Sequence, residues 1–293
     1  MKKVIVTGGA GFIGSTLVDK LIDEGLDVIV LDNLSTGKES NINPKAEFIK
    51  CDVSKDRPLF NDVDTVFHLA ATPQVQHSIE NPTDNNNRDS VINMLNISKK
   101  SGVKRFIFTS SSAVYGNPKY TPIDENHPTN PLSPYGLHKL VGEQYCKLYS
   151  DLYGLDTVSL RYFNAYGERM SNEGAYKSVI SVFKEQHKKK EPLNIVNDGE
   201  QRRDYVHVDD IVKANLICGF KKDKPFNGEI YNVGSGVAYS VNEIADMFGG
   251  EKKYGEKRIE PKNTIAETAK INLDLDWEST ESLSKFIFTK VNK

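Results

Sequence analysis

Tyr135 and Lys139 are spaced Y-x-x-x-K in a segment entered through Ser133-Pro134. On a helix that spacing sets a phenol and an ammonium on one face. Ser110-Ser111-Ser112 lies upstream, directly after the apolar run Phe106-Ile107-Phe108. A phenol, a hydroxyl and an ammonium held together can take a proton from an alcohol. Free tyrosine titrates at about 10, so acting as a base near neutrality requires a drop of about three units, roughly 4 kcal/mol. Lys139 and a second positive charge would supply that drop together in a site of low dielectric. Tyrosine recurs at Tyr145, Tyr149 and Tyr153, where packing is the plain account. Tyr135 is set apart by the serines upstream and by a glycine-rich loop at the start of the chain.

That loop is Thr7-Gly8-Gly9-Ala10-Gly11-Phe12-Ile13-Gly14, with Gly8, Gly11 and Gly14 in a G-x-x-G-x-x-G spacing. It follows a β-branched run and opens a helical pattern. Glycines permit a tight turn and close backbone approach, and the helix N-terminus offers unpaired N–H groups to a pyrophosphate. Asp32 closes the next apolar run. A carboxylate there accepts hydrogen bonds from the hydroxyls of an adenosine ribose and repels a 2′-phosphate, so NAD is favoured over NADP. With NAD in place, Lys139 would hold the nicotinamide ribose and the oxidised ring would be the second charge. Asp52 stands where an acid could meet the adenine amino group, and it reads equally well as a turn residue.

The elements that must position these groups recur as short β-branched runs: Val4–Val6, Val28–Leu31, Phe48–Ile49, Val63–Leu69, Phe106–Phe108 and Val158–Leu160. Helical periodicity lies between them, with Ile13, Leu17, Val18, Leu21 and Ile22 on one face, and Val91, Met94, Leu95 and Ile97 on another. Alternation of strand and helix predicts parallel strands joined by crossovers, an α/β doubly wound Rossmann-type sheet. Continuous Val/Ile runs suit strands covered on both faces. After Ala165 the pattern loosens: a helix is expected over Val179–Phe183, short strands over Leu193–Val196 and Ile230–Val233, and a short helix over Val241–Phe248. The run His187-Lys188-Lys189-Lys190 reads as a solvated helix end favoured by the dipole.

The 293 residues carry 38 Lys plus Arg against 40 Asp plus Glu, a net charge of −2, with 38% hydrophobic residues. This is globular composition, and its charge balance argues against nucleic acid or an anionic membrane as partner. Cys51, Cys146 and Cys218 lie far apart, so no metal site and no disulfide framework is expected. Lys2 and Lys3 before an apolar stretch mimic a signal peptide, but the glycines interrupt it, and a cytoplasmic protein is expected.

The strings VTGGAGFIGS (6–15), LDNLSTG (31–37), HLAA (68–71), GVKRFIFTSSSAVYG (102–116), SPYGLHK (133–139), RYFNAYGER (161–169), DGEQRRDYVHVDD (198–210) and YNVGSG (231–236) span nearly the whole chain. On them the sequence resembles the extended short-chain dehydrogenase/reductases that act on nucleotide sugars, above all UDP-glucose 4-epimerases. The resemblance implies NAD, a UDP-sugar substrate and a homodimer through the Tyr135–Tyr153 helix. It implies an NAD-binding domain over 1–165, to which 204–235 returns, and a nucleotide-sugar domain over 166–293. It makes Ser111, Tyr135 and Lys139 catalytic. Cofactor contacts are implied at Gly8, Gly11, Phe12, Ile13 and Gly14, then at Asp32, Asn33, Leu34, Ser35, Thr36 and Gly37. Asp52, Val53, Leu69, Ala70, Ala71, Asn87, Tyr162 and Phe163 complete that set, with Tyr135 and Lys139.

For the substrate the resemblance implies Ser111 and Tyr135 at the sugar and Asn164 and Arg203 at the diphosphate. Ser178, Val179, Asn194, Ile195 and Val196 are implied at the nucleotide. A surface ion pair of Arg203 with Asp204 or Asp209 is the plain alternative. Lys257 takes a family arginine position, with Arg258 adjacent and Glu260 two residues on, while Ile259 replaces a glycine. Thr264 stands where enzymes that exclude N-acetyl sugars hold a bulky tyrosine, so N-acetylated UDP-hexoses are expected to enter. Related 4,6-dehydratases and decarboxylases carry an acidic residue near position 113. Ala113 cannot titrate, which favours epimerisation. A reductase or a non-catalytic NAD sensor on this scaffold remains the alternative.

Overall fold

In the computed structural model, residues 2–83, 86–170, 178–223, 225–255 and 261–291 are described. The β-branched runs become the strands β1 (Lys3–Thr7), β2 (Asp27–Asp32), β3 (Glu47–Lys50), β4 (Val63–His68), β5 (Arg105–Ser111) and β6 (Asp156–Tyr162). The helices between them are α1 (Phe12–Asp23), α2 (Val75–Glu80), α3 (Asn87–Lys100) and α4 (Pro134–Tyr153). With β10 (Glu229–Val233) these strands form one sheet in the order β10-β6-β5-β4-β1-β2-β3. Every neighbouring pair is parallel.

Val4, Val6 and Val30 pack with Leu17, Val18 and Leu21 of α1 on one face of the sheet. Ile5, Leu31 and Phe106 pack with Val91, Met94 and Leu95 of α3 on the other. Strands covered on both sides carry apolar residues without alternation, the pattern seen in the sequence. The strand order reverses between β1 and β4, and the loops after them diverge there to open a crevice at the strand ends.

A second group of elements follows β7 (Asn164–Tyr166): α5 (Val179–Lys189), β8 (Leu193–Ile195), β9 (Arg202–His207), β11 (Ala238–Ser240), α7 (Val241–Phe248), β12 (Lys252–Tyr254) and β13 (Asn263–Thr264). β9 is central, parallel to β7 and β13 and antiparallel to β11. β8 pairs with β12. Ile180, Phe183, Ile195, Ile244 and Phe248 form the local core. Ser240 and Glu243 make a reciprocal capping box that starts α7 where expected. α5 runs past Phe183 and ends in the basic turn, as the dipole favours.

The helix α6 (Val208–Phe220) returns to the large sheet and packs against α1, and β10 then joins the sheet's edge. Sequence periodicity does not single α6 out. Its buried residues include Asp210 and Asn215 beside Ile211, Val212 and Ala214, so the apolar stripe is interrupted. Asp210 is satisfied by Ser279, Thr280 and Glu281. Ile271 and Leu275 of α8 (Ala269–Leu275), and Trp277 beyond it, join the large-sheet core.

Candidate active site

The glycine loop turns directly out of β1. Gly8 has φ +71, and a Cβ there would lie 2.8 Å from the Ala70 nitrogen. A Cβ on Gly14 would lie 2.1 Å from the Gly8 carbonyl oxygen. Only glycine lets helix, loop and the strand end after β4 approach this closely. No side chain caps α1 at Gly11, and its first turn holds no acidic residue. These N-terminal N–H groups suit an anion. Buried Asp32 accepts the Ala10 amide at 3.0 Å and the Leu34 amide at 2.8 Å.

Beneath the loop, His68 is fully buried between the rings of Phe106 and Phe108. Its Nδ1 lies 2.8 Å from the Thr7 hydroxyl oxygen, which also accepts the Ala70 amide. Its Nε2 meets Ser90, whose hydroxyl donates to the Asn87 carbonyl. These partners fit a neutral imidazole with the proton on Nε2. Burial, aided by the charge of Lys139, lowers its pKa from 6.5 to about 3. The stability contributed is therefore full above pH 6.5 and declines as pH falls toward 3, by on the order of 5 kcal/mol. A urea-unfolding series from about pH 7 to about pH 4 checks this: His68→Gln should flatten the slope. An identical slope in that variant would contradict it.

A cleft of about 1410 Å³ opens above these groups. Gly8, Gly11, Phe12, Ile13, Gly14, Asp32, Asn33, Ser35, Thr36, Asp52, Val53, Leu69, Ala70, Ala71 and Asn87 line one part of it. Asn87 clasps Thr72, accepting its amide at 2.7 Å and donating to its carbonyl at 3.0 Å. Burial tends to raise the Asp52 pKa, but hydrogen bonds from Ser54 and the Lys55 ion pair hold it below the ordinary value. Asp52 thus serves its own turn and also faces the cleft. Asn164, Ser178, Val179, Asn194, Val196 and Arg203 line the other part, with Gln201 and Tyr205 beside them.

Several expected contacts lie elsewhere. Tyr162 is buried with its hydroxyl between Thr109 and Asn215, because β6 turns it into the core. Phe163 packs with Tyr115 and Ile123, and Ile195 is a core residue of the smaller unit. Leu34 and Gly37 belong to the loop after β2, and they, like Ser111, Tyr135 and Lys139, are not among the residues that line the cleft. Thr264 is buried and pairs with Arg203 across the β13–β9 ladder. Lys257, Arg258 and Glu260 lie outside the described residues. Asp204 is not a surface carboxylate beside Arg203. It is fully buried and accepts amides from Ser235, Gly236 and Ala266.

Ser111, Tyr135 and Lys139 meet at the end of β5. Ser133 caps α4 by accepting the Gly136 amide, and Pro134 sits at its first position, which fixes where the Tyr135 turn begins. The Ser111 oxygen accepts the Ala113 amide at 3.2 Å, and the Ser111 hydroxyl tends to lower the Tyr135 pKa. Lys139 donates to the Thr109 carbonyl at 2.7 Å, and its nitrogen is 5.7 Å from the Tyr135 ring centre. Thr109 in turn lines the cleft.

The electrostatics differ from the expectation. Burial raises the Tyr135 pKa, and the opposing influence is the Ser111 hydrogen bond rather than Lys139. Burial also brings Lys139 down from 10.5 to about 7, against the pull of Glu143. The lysine spends its charge on a carbonyl and is itself desolvated, so it does not depress the phenol in this arrangement.

A model of the NAD dependent epimerase/dehydratase family matches residues 4–234. A protein of Methanocaldococcus jannaschii, provisionally named a UDP-glucose 4-epimerase, is 46% identical over 99% of this chain and 97% of its own. The chain belongs to the NAD dependent epimerase/dehydratase family. Among solved structures, the Thermotoga maritima UDP-glucose 4-epimerase with UDP-glucose is similar at TM-score 0.89 and 37% identity, covering 97% of this chain and 95% of that one. The Methanobrevibacter ruminantium UDP-N-acetylglucosamine 4-epimerase with UDP-N-acetylmuramic acid is similar at TM-score 0.89 and 35% identity, covering 99% and 96%.

On this family scaffold, sequence reading passed over the groups beneath the end of β5. Glu143 accepts Ser110 and both Nε and Nη2 of Arg161, the latter two at 2.8 Å. Both side chains of the pair are almost fully buried. Two signals were available: Glu143 follows Lys139 by one helical turn, and Arg161 sits between Leu160 and Tyr162 on a strand that runs through the core.

Proposed function

We propose that this chain interconverts the C4 epimers of a UDP-hexose, UDP-glucose and UDP-galactose foremost. The observation that carries the reading is the meeting of Ser111, Tyr135 and buried Lys139 at the end of β5, with the uncharged Ala113 two residues past Ser111. One proton-transfer group and no second acid suits epimerisation rather than elimination or decarboxylation.

The residues present fit NAD. The glycine cradle, the uncapped start of α1 and buried Asp32 match a pyrophosphate and a ribose diol. Gly8, Gly11, Phe12, Ile13 and Gly14 would hold the pyrophosphate, and Asp32 through Thr36 the adenosine ribose. Asp52 and Val53 would flank the adenine, and Leu69 to Ala71 with Asn87 would line the path to the reacting end. Bound NAD supplies a hydride acceptor and donor at C4 and, when oxidised, a positive charge that favours the phenolate. Asp32→Ala should weaken NAD binding by about 10-fold to 100-fold, the ~1.5–3 kcal/mol of hydrogen bonds to a charged group, and NADP binding by less. Calorimetric titration checks this, and an unchanged NAD affinity would contradict it.

Asn164 and Arg203 would grip the diphosphate, since a fixed guanidinium suits phosphate oxygens. Ser178, Val179, Asn194 and Val196 would hold the nucleoside. Tyr135 takes the C4 hydroxyl proton, directly or through Ser111, and returns it to the opposite epimer. The 4-keto sugar turns about its diphosphate between the two steps, so a tight nucleotide and a loosely held sugar are required. A homodimer through α4 accompanies this reading, where Leu137, Leu148, Leu152 and Tyr153 are exposed. Among the described residues no helix is long and apolar enough to cross a membrane. The three buried free cysteines suit a reducing cytoplasm.

The test is a panel of UDP-, dTDP- and GDP-sugars, UDP-N-acetylglucosamine included, assayed for isomers. UDP-galactose from UDP-glucose without net NADH is expected. A deoxy-keto sugar, a pentose or stoichiometric NADH would contradict the proposal.

A further inference from the structure

The first turn of α4 leaves several backbone N–H groups without partners inside the helix. Ser133 satisfies the Gly136 amide. The Tyr135 amide is satisfied from a different element: Ser78 on α2 accepts it at 3.2 Å. Ser78 is fully buried, and its hydroxyl proton is committed to the Val75 carbonyl at 2.6 Å. Its oxygen is thereby oriented as an acceptor for Tyr135. Gln74, Val75 and Gln76 line the cleft, and α2 packs against α4. The path from the cleft wall to the Tyr135 backbone is thus two hydrogen bonds sharing one hydroxyl.

We propose that Ser78 is the positioning residue of Tyr135: it fixes the tyrosine backbone against the α2 wall of the cleft, so that the phenol stays registered with Ser111. The inference rests on Tyr135 as the proton-transfer group. Ser78 itself is buried behind the cleft wall and does not line it. Its removal leaves a buried amide unpaired at the residue whose side chain must hold its place. A helix start that shifts carries the phenol with it, and displacements of about 1 Å at a reacting group cost up to about 100-fold in rate.

Amide exchange of the full chain, read residue by residue, tests this first without a variant. The Tyr135 amide, at a position that normally exchanges freely, should be as protected as the interior amides of α4. In Ser78→Ala its exchange should quicken while the later α4 amides keep theirs. In the same variant kcat on UDP-glucose should fall by about tenfold, with KM and bound NAD unchanged. An unprotected Tyr135 amide in the parent chain would overturn the proposal. So would a Ser78→Ala kcat within about twofold of the parent, or a kcat loss matched by lost NAD and a raised KM. If the parent chain fails to epimerise any UDP-hexose, the proposed function fails instead, and the exchange measurement still decides the role of Ser78.

Discussion

Tyr135→Phe should lower the turnover of UDP-glucose by about a thousandfold, within the roughly 10²–10⁴-fold range of general acid–base catalysis. The substitution removes one oxygen, that of the phenol whose pKa Ser111 tends to lower. The ring, its place in the first turn of α4, and the Ser78 and Ser133 contacts to the backbone are untouched. NAD content and UDP affinity should therefore match the parent chain, and the loss should fall on kcat. Burial raises the Tyr135 pKa and Ser111 opposes it. Ser111→Ala should consequently shift the ascending limb of the kcat profile, along which the phenolate forms, to higher pH, besides slowing the reaction. Steady-state kinetics over a pH series reads both effects. A Phe variant with near-parental kcat would remove Tyr135 from the reaction.

The largest expected effect on stability is at Glu143. This carboxylate and Arg161 are 2% and 3% exposed, far too buried for water to screen them. Arg161 also donates to the Tyr115 hydroxyl, and that hydroxyl donates to Asn232, so strands β5, β6 and β10 are tied through one network. The pair as a whole need not stabilise the fold, since desolvation offsets its attraction. Removing one partner is different. Glu143→Ala leaves a guanidinium in the core without its paired carboxylate and with only the Glu125 charge nearby, at a cost of about 3–5 kcal/mol. Equilibrium denaturation should show that loss, and a decrease under about 1 kcal/mol would mean that water reaches Arg161 and screens it. The double variant Glu143→Leu with Arg161→Met should recover much of it, because no charge is then stranded. Glu143 also supports the positive charge on Lys139, so activity should be lost in both variants.

What was legible from residues alone was local. β1, β2 and β5 announced themselves because strands covered on both faces carry uninterrupted Val, Ile, Leu and Phe. The glycine loop and Asp32 were readable because their spacing is a property of one strand-loop-helix unit. α6 was not, since buried Asp210 and Asn215 break its stripe and their partners lie in other parts of the fold. The side-chain directions of Tyr162 and Phe163 depended on how β6 twists into the core, which the string RYFN does not encode. The electrostatics of Tyr135 and Lys139 depended on burial, a property of the packed molecule rather than of the i, i+4 spacing. Ser78 was invisible for a similar reason: it meets Tyr135 across 57 positions of chain.

The most direct measurement follows the hydrogen at C4. UDP-glucose carrying deuterium at C4 is incubated with the chain in ordinary water, and the isomer is isolated. Transient oxidation and return within one closed site gives UDP-galactose with the deuterium still on C4. Washout of the label to solvent, or conversion with the label at another carbon, would contradict a hydride that leaves and returns to the same atom.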